Sequence, residues 1–313
     1  MPVDILMIAR MAPIERALEA GFTVHHLPTE SERVAFLSAI SGRIRGIITY
    51  SGGGLVDHAL LNALPKVEII ANMGVGYESV DMTAAHERGI IVTNAGSVNA
   101  VDVAEHAFGL ILDVGRAISF SDRYVRAGTW VSQGRLKPTR RVSGRKLGIV
   151  GLGNIGLEIA KRAEAFDMPV SYHNRKPRSD VTYRYVSDIV TLARDCDVLV
   201  AATPGGASTH HLINRAVIDA LGSDDIFINI GRGSVVEETA LVDALVEGRL
   251  GGAGLDVFEN EPHAPDRLLS LPNVVLQPHV GGATREGITA AVEVLVKNLE
   301  LHFDGKPVLT PVT

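Results

Sequence analysis

The sequence predicts an α/β protein made of two doubly wound parallel sheets, each covered by helices on both faces. Three observations carry that prediction. Short β-branched runs alternate with amphipathic segments almost from end to end, the pattern of strands buried under crossover helices. The alternation forms two series joined by one longer helical stretch. A length of 313 residues, at about 150 per domain, accommodates two domains.

In the first series the strands are expected at Asp4–Ile8, Ile44–Thr49, Val67–Ala71 and Ile90–Thr93. Helical patterns at Pro13–Ala20, Glu32–Ala39, Leu55–Ala63 and Ser79–Arg88 separate them. The joining helix is expected at Val101–Ile118, with Ala104, Ala107, Leu110, Ile111 and Val114 on one side. A polar, basic stretch, Arg123–Arg145, follows and holds the single tryptophan, Trp130. The second series has strands at Lys146–Val150, Pro169–His173, Val198–Ala201, Ile226–Ile230, Ala253–Val257 and Val274–Leu276. Its helices are expected at Ile155–Phe166, Ser187–Arg194, Arg215–Leu221 and Glu238–Glu247, and the amphipathic Thr284–Phe303 closes the chain.

Composition removes several function classes. Thirty Lys and Arg against 36 Asp and Glu leave a net charge of −6, which excludes a generic polycation for nucleic acid or anionic membranes. Hydrophobic content of 46% with 21% charge is that of a globular protein. One cysteine, Cys196, excludes an intrachain disulfide framework and multi-cysteine metal sites, and its acidic neighbours Asp195 and Asp197 disfavour a reactive thiolate. The opening MPVDILMIAR reads as a strand and not a leader, and no apolar run approaches the ~18 residues of a membrane span. A cytoplasmic protein is expected.

The second series opens with Gly-Leu-Gly-Asn-Ile-Gly, Gly151 to Gly156, immediately after a strand and before a helix. Taken alone, three spaced glycines are a weak signal. In that context the first, Gly151, serves the tight turn, and Gly153 lets a pyrophosphate approach the backbone. Gly156 permits close helix–strand packing, and the helix N-terminus at Asn154 and Ile155 faces the phosphates. A glycine-rich turn without a ligand is the plainer reading. At the end of the next strand, Tyr172-His173-Asn174-Arg175-Lys176-Pro177-Arg178 carries no carboxylate to repel a 2′-phosphate. Asn174 can donate a hydrogen bond, Arg175 can pair bidentately and Lys176 can act as a point charge, with Arg178 a third cation. That set favours NADPH, with NADH possible and weaker, over the plainer reading of a solvated basic turn.

Four ordered segments carry a resemblance. They are Asn72-Met73-Gly74-Val75-Gly76-Tyr77, Asn229-Ile230-Gly231-Arg232-Gly233, Gly254-Leu255-Asp256-Val257-Phe258-Glu259-Asn260-Glu261-Pro262 and Gln277-Pro278-His279-Val280-Gly281-Gly282. Together with the glycine fingerprint they resemble the D-isomer-specific 2-hydroxyacid dehydrogenases across essentially the whole chain, and most of all the NADPH-dependent glyoxylate/hydroxypyruvate reductases among them. The resemblance implies a Rossmann dinucleotide-binding domain at 99–282. It implies a flavodoxin-like substrate domain from 1–98 plus 283–313, with a cleft between the two that closes by hinge motion.

It also implies Arg232, Glu261 and His279 as the catalytic set, for reduction of a small 2-oxo acid to the D-2-hydroxy acid. The chemistry asks for those residue types. A planar guanidinium can hold a carboxylate and polarise the adjacent carbonyl together, an imidazolium can protonate the developing alkoxide, and a carboxylate can orient the ring. Each residue alone is more ordinarily a surface arginine, a turn acid or a loop histidine; their joint order gives the assignment its weight.

The same resemblance implies substrate contacts from the amides of Val75 and Gly76, whose glycine-rich turn is a nest for a carboxylate. Ser51 and Gly52 are a weaker candidate for the pocket wall. Thr203 and Pro204 match the turn beneath the cofactor, Asp256 a residue near the nicotinamide carboxamide, and Ile230 and Gly281 flank it. Where relatives carry a threonine before the joining helix this chain has Ala100, so one hydroxyl contact to the cofactor is lost. A homodimer through residues 101–145 is implied, with Trp130 either packing in the interface or approaching the partner's substrate.

The pairs His25-His26 and His210-His211 are read as ordinary polar residues, and no metal is expected. Two other readings stay open. One is a same-fold enzyme for a larger 2-oxo acid, such as 2-ketogluconate or an aryl pyruvate, or a phosphite oxidiser with the same triad. The other is a nucleotide-sensing binding protein of the same fold.

Overall fold

A computed structural model describes residues 2–19, 21–50 and 53–312. The chain divides into two compact units, Met1–Asn99 with Arg285–Thr313, and Ala100–Thr284. Ser51 and Gly52, the expected pocket wall, lie outside the described residues.

The first unit contains β1 (Val3–Met7), β2 (Phe22–His26), β3 (Gly46–Thr49), β4 (Ile69–Asn72) and β5 (Ile91–Thr93). Among the described residues these form a parallel sheet in the order β2-β1-β3-β4-β5, and Pro311–Val312 adds antiparallel to β5. The order 2-1-3-4-5 is the flavodoxin-like one. Consecutive residues of a strand point to opposite faces. Leu6, Ile47 and Ile70 therefore enter one core with Leu61 and Val92, while Ile5, Met7, Ile48 and Ile69 enter another with Leu295 and Leu299 of the Arg285–Phe303 helix. Because both faces are covered, β3 and β4 read as continuous apolar runs and not as alternating ones. Buried Asn298 ties the tail down, donating to Thr310 Oγ1 at 2.8 Å and accepting from the Leu309 N–H at 2.7 Å.

The second unit contains β6 (Leu147–Val150), β7 (Val170–His173), β8 (Arg184–Tyr185), β9 (Val198–Ala201), β10 (Ile226–Asn229), β11 (Gly252–Leu255) and β12 (Val274–Leu276). They are all parallel, in the order β8-β7-β6-β9-β10-β11-β12. The order reverses between β6 and β9, the Rossmann switch point, and ligands of such sheets bind outside the carboxyl ends of the strands there. The Ala100–Arg116 helix lies directly on β11 because two glycines make room. A Cβ on Gly254 would sit 2.9 Å from Leu110 Cβ, and one on Gly252 would sit 2.7 Å from Val114 Cγ1.

Several elements differ from expectation. The joining helix ends at Arg116, and left-handed Ala117 (φ 53°) starts a second helix, Ile118–Arg126. Asp113 fixes that corner by accepting from the N–H of Ser119 at 2.7 Å and from its hydroxyl. A short helix, Thr129–Gln133, lies in the stretch that the sequence described only as polar and basic. Strand β2, two-residue β8, Pro311–Val312 and the Asp266–Leu269 turn of helix were not expected. Among the described residues no helix is long and apolar enough to cross a membrane.

Candidate active site

In the second unit the chemistry-bearing residues follow the carboxyl ends of successive strands: the glycine loop after β6, Thr203 after β9, Arg232 after β10, Asp256 after β11 and His279 after β12. The sheet therefore places them along one edge before any side chain is considered.

Asn229, the last residue of β10, is 1% exposed and builds the arginine turn. Its Nδ2 donates to the Arg232 carbonyl at 3.0 Å, and its Oδ1 accepts from the Gly231 N–H at 3.1 Å. Arg232 Nη1 donates to the Gly231 carbonyl at 2.7 Å, so the side chain folds back over its own turn. The flanking glycines are required by contact. A Cβ on Gly231 would lie 2.5 Å from the Thr203 carbonyl, and one on Gly233 would lie 1.9 Å from the Phe258 carbonyl. Gly233 thereby lets the Arg232 turn lie directly on the backbone that leads to Glu261.

Glu261 Oε2 lies 2.8 Å from His279 Nδ1, and its Oε1 accepts from the Phe258 N–H at 3.2 Å. Burial opposes charge on this carboxyl, yet the hydrogen bond and charge of His279, the Phe258 N–H and the Arg232 guanidinium together hold its pKa below the usual value. An ionised carboxylate only accepts, so Nδ1 of His279 carries a proton in both of its states. Nε2 is then the ring nitrogen left open to another partner. All three expected catalytic residues thus lie in this unit, with Glu261 bonded to His279 and electrostatically coupled to Arg232.

His279 takes the left-handed conformation (φ 55°), which a non-glycine residue holds only where its surroundings impose it. Asp256 imposes it. Its backbone carbonyl accepts from the His279 N–H at 2.8 Å, and its two carboxylate oxygens accept from Val280 and Gly281 N–H groups, each at 2.8 Å. A Cβ on Gly281 would sit 2.9 Å from Asp256 Oδ2. His106 Nε2 lies 3.3 Å from Asp256 Oδ1, close enough for an ion pair but not aligned as a hydrogen bond. Burial again opposes ionisation, and His106 with the two amides outweighs it, so the Asp256 pKa is lowered. Expected beside the carboxamide of a nicotinamide, Asp256 is 2% exposed and anchors the histidine loop.

The glycine loop tests whether a dinucleotide fits. Gly151 has φ 99°, and a Cβ there would meet the Ala202 carbonyl at 2.8 Å; one on Gly156 would meet the Gly151 carbonyl at 2.4 Å. Gly153 differs, since a Cβ on it would meet nothing within 4 Å. Two glycines are demanded by the fold and the third leaves room outside it, where a pyrophosphate would approach the start of the Asn154–Glu164 helix. Ile155 and buried Ile230 pack into the apolar layer beneath the loop. Thr203 Oγ1 is buried without a hydrogen-bond partner among the described residues. Pro204 is exposed, with its carbonyl accepting from the Thr209 hydroxyl at 2.8 Å. These residues can hold a dinucleotide.

Asn174 Oδ1 accepts from the Leu152 N–H at 2.7 Å, which fixes the end of β7 against the glycine loop and leaves its amide Nδ2 as the donor. Arg175 and Lys176 are exposed. Arg178 is removed as a third cation: it pairs with Asp180 and donates to the Leu152 carbonyl at 2.9 Å. Ala100 is buried at the start of the joining helix, and Cys196 is buried with its thiol pushed up to about 12, first by burial and then by Asp225 and Asp197.

In the first unit, the turn after β4 is held from within. Asn72 Nδ2 donates to the carbonyls of Gly74 and Gly76 at 2.7 and 2.8 Å, and Asn94 Nδ2 donates to that of Val75 at 2.7 Å. With three successive carbonyls turned inward, the N–H groups of Val75 and Gly76 find no acceptor among the described residues. This is the turn where the sequence led us to expect a nest for an anion.

Sequence reasoning missed Asn229 and His106 as functional supports. A polar residue closing an otherwise apolar strand, and a histidine among the buried positions of a helix, were the available signals.

A profile of the D-isomer specific 2-hydroxyacid dehydrogenase NAD binding domain matches residues 108–281. The chain is 47% identical over 311 residues to a hydroxyphenylpyruvate reductase of Plectranthus scutellarioides, covering 99% of both chains. It is 45% identical to a glyoxylate/hydroxypyruvate reductase A of Arabidopsis thaliana, again over 99% of both. The crystal structure of an NADPH-dependent glyoxylate/hydroxypyruvate reductase from Sinorhizobium meliloti, in complex with NADP and malonate, superposes with a TM-score of 0.91 at 38% identity, covering 100% of this chain and 97% of that one. Sequence, fold and the order of the site segments agree, and the chain belongs to the D-isomer-specific 2-hydroxyacid dehydrogenases.

Proposed function

We propose that this protein is an NADPH-dependent reductase of small 2-oxo acids, glyoxylate and hydroxypyruvate, yielding the D-2-hydroxy acid. The observation that carries the reading is the 2.8 Å His279–Glu261 pair behind an arginine turn seated on the same loop. NADPH, held at the glycine loop, would supply the hydride for the carbonyl carbon. Arg232 holds the substrate carboxylate and polarises the carbonyl. His279 gives its Nε2 proton to the oxygen as negative charge develops there, and Glu261 steadies the imidazolium through Nδ1. Arg175, Lys176 and the Asn174 amide are assigned to the 2′-phosphate.

We also propose a homodimer through residues 101–145. The Ile118–Arg126 helix buries no residue of its own chain, and Ile118, Val125, Trp130 and Val131 are exposed along this stretch. The single cysteine, buried and unbridged, accords with a cytoplasmic setting.

A second reading, an aryl pyruvate as substrate, draws on the hydroxyphenylpyruvate reductase relative. Initial rates of reduced-nicotinamide consumption with glyoxylate, hydroxypyruvate and 4-hydroxyphenylpyruvate, each with NADPH and with NADH, decide among these. The proposal expects the highest kcat/KM for hydroxypyruvate or glyoxylate with NADPH. A clear preference for the aromatic acid moves the assignment to the second reading, and no turnover with any of them removes the reductase.

A further inference from the structure

Beside the loops that carry Arg232 and Glu261 the structure gathers three side chains that the reduction does not use. His210 and His211 follow the turn after Thr203, and their rings stack with centroids 3.9 Å apart. His211 Nε2 lies 3.0 Å from Glu259 Oε1. One donor atom each from His210, His211 and Glu259 lies within 4.8 Å of the other two, and among the described residues this is the one such group of His, Cys, Asp or Glu. The sequence reading treated the histidine pair as ordinary polar residues, because Glu259, 48 positions from His211, is brought to it only by the fold.

The backbone sets two of the three donors. The His211 N–H donates to the Ser234 carbonyl at 2.9 Å, with His211 left-handed at φ 49°. The Glu259 N–H donates to Glu238 Oε1 at 3.0 Å. In a tetrahedral site with bonds of about 2.1 Å, neighbouring donors lie roughly 3.4 Å apart. The 3.0 Å His211–Glu259 separation is close to such an edge. His210 is exposed, so its ring can turn out of the stack to aim a lone pair at the same point. Two imidazoles and one carboxylate are a donor set suited to a first-row divalent ion of Zn2+ type.

We propose that His210, His211 and Glu259 form a Zn2+ site with three protein ligands and water in the remaining position. The ion would clamp the segment after β9 to the loop that bears Glu261, two residues beyond Glu259. This site is independent of the reductase reading.

Tag-free, chelator-treated protein titrated calorimetrically with ZnCl2 tests it, with Co2+ absorption as a second readout. His211→Asn is the main variant, since asparagine tolerates a left-handed backbone but offers no imidazole. Glu259→Gln and His279→Ala complete the set, and circular dichroism checks that each is folded. The expected result is one ion per chain, with His211→Asn and Glu259→Gln each weakening binding by at least about tenfold and His279→Ala leaving it unchanged. Co2+ should give the visible bands of a low-coordinate nitrogen and oxygen site in wild type and lose them in His211→Asn. No saturable binding up to about millimolar Zn2+, an affinity unaltered by His211→Asn and Glu259→Gln, or loss only in His279→Ala would overturn the proposal.

Discussion

His279 Nδ1 lies 2.8 Å from Glu261 Oε2, although the two residues are 18 positions apart and reach each other from loops after different strands. The bond occupies Nδ1 and leaves Nε2 as the imidazole nitrogen open to another partner. Glu261→Gln keeps the shape and removes the charge. It should lower kcat for 2-oxo acid reduction by at least about tenfold. An unchanged kcat would separate Glu261 from the chemistry.

Asp256 and Glu261 both have lowered pKa values in the fold, which gives stability a defined direction with pH. A group whose folded pKa is depressed stabilises above its unfolded pKa, about 4 for these acids, and that contribution is lost as pH falls through the folded value. Wild type should therefore lose urea resistance on acidification below about pH 4, and Asp256→Asn should show a shallower loss over the same window. Equal slopes for the two proteins would mean that Asp256 is not held ionised.

Two glycines of one fingerprint should respond oppositely to the same change. Gly156→Ala drives a Cβ to 2.4 Å from the Gly151 carbonyl and should destabilise by about 1–3 kcal/mol. Gly153→Ala meets nothing within 4 Å, so its melting temperature should stay near wild type while NADPH binding weakens. Thermal melts and fluorescence titration of each variant check this pair of outcomes.

The proposed 2′-phosphate assignment rests on exposed charge after β7. Arg175→Ala with Lys176→Ala should reduce the NADPH over NADH preference by at least about tenfold, chiefly through KM for NADPH. Steady-state kinetics with both cofactors gives the ratio directly, and an unaltered ratio removes these cations from recognition.

Much of the fold was legible because a strand buried on both faces reads as a short apolar run, as in Gly46–Thr49 and Val198–Ala201. Strand β2 escaped because FTVHH at a sheet edge is half polar, with His25 paired to Asp4 at 2.6 Å instead of packed in a core. The Ile118–Arg126 helix escaped because only left-handed Ala117 parts it from the joining helix, a break with no glycine or proline at that position to mark it. In the candidate site, Arg232, Glu261 and His279 were singled out by ordered motifs, whereas Asn229 under Arg232 and His106 beside Asp256 act through contacts that leave no spacing in the sequence. The seat of Gly233 on Phe258 is of the same kind, and so is the meeting of His211 with Glu259.

The central claim is that His279 delivers the proton in reduction of a 2-oxo acid and does not hold the cofactor. NADPH consumption with hydroxypyruvate, measured for wild type and His279→Ala beside NADPH titration of both, tests it most directly. The account predicts turnover lower by about 10²–10⁴-fold with NADPH affinity near wild type. Turnover retained in the variant, or cofactor binding lost along with it, would contradict the account.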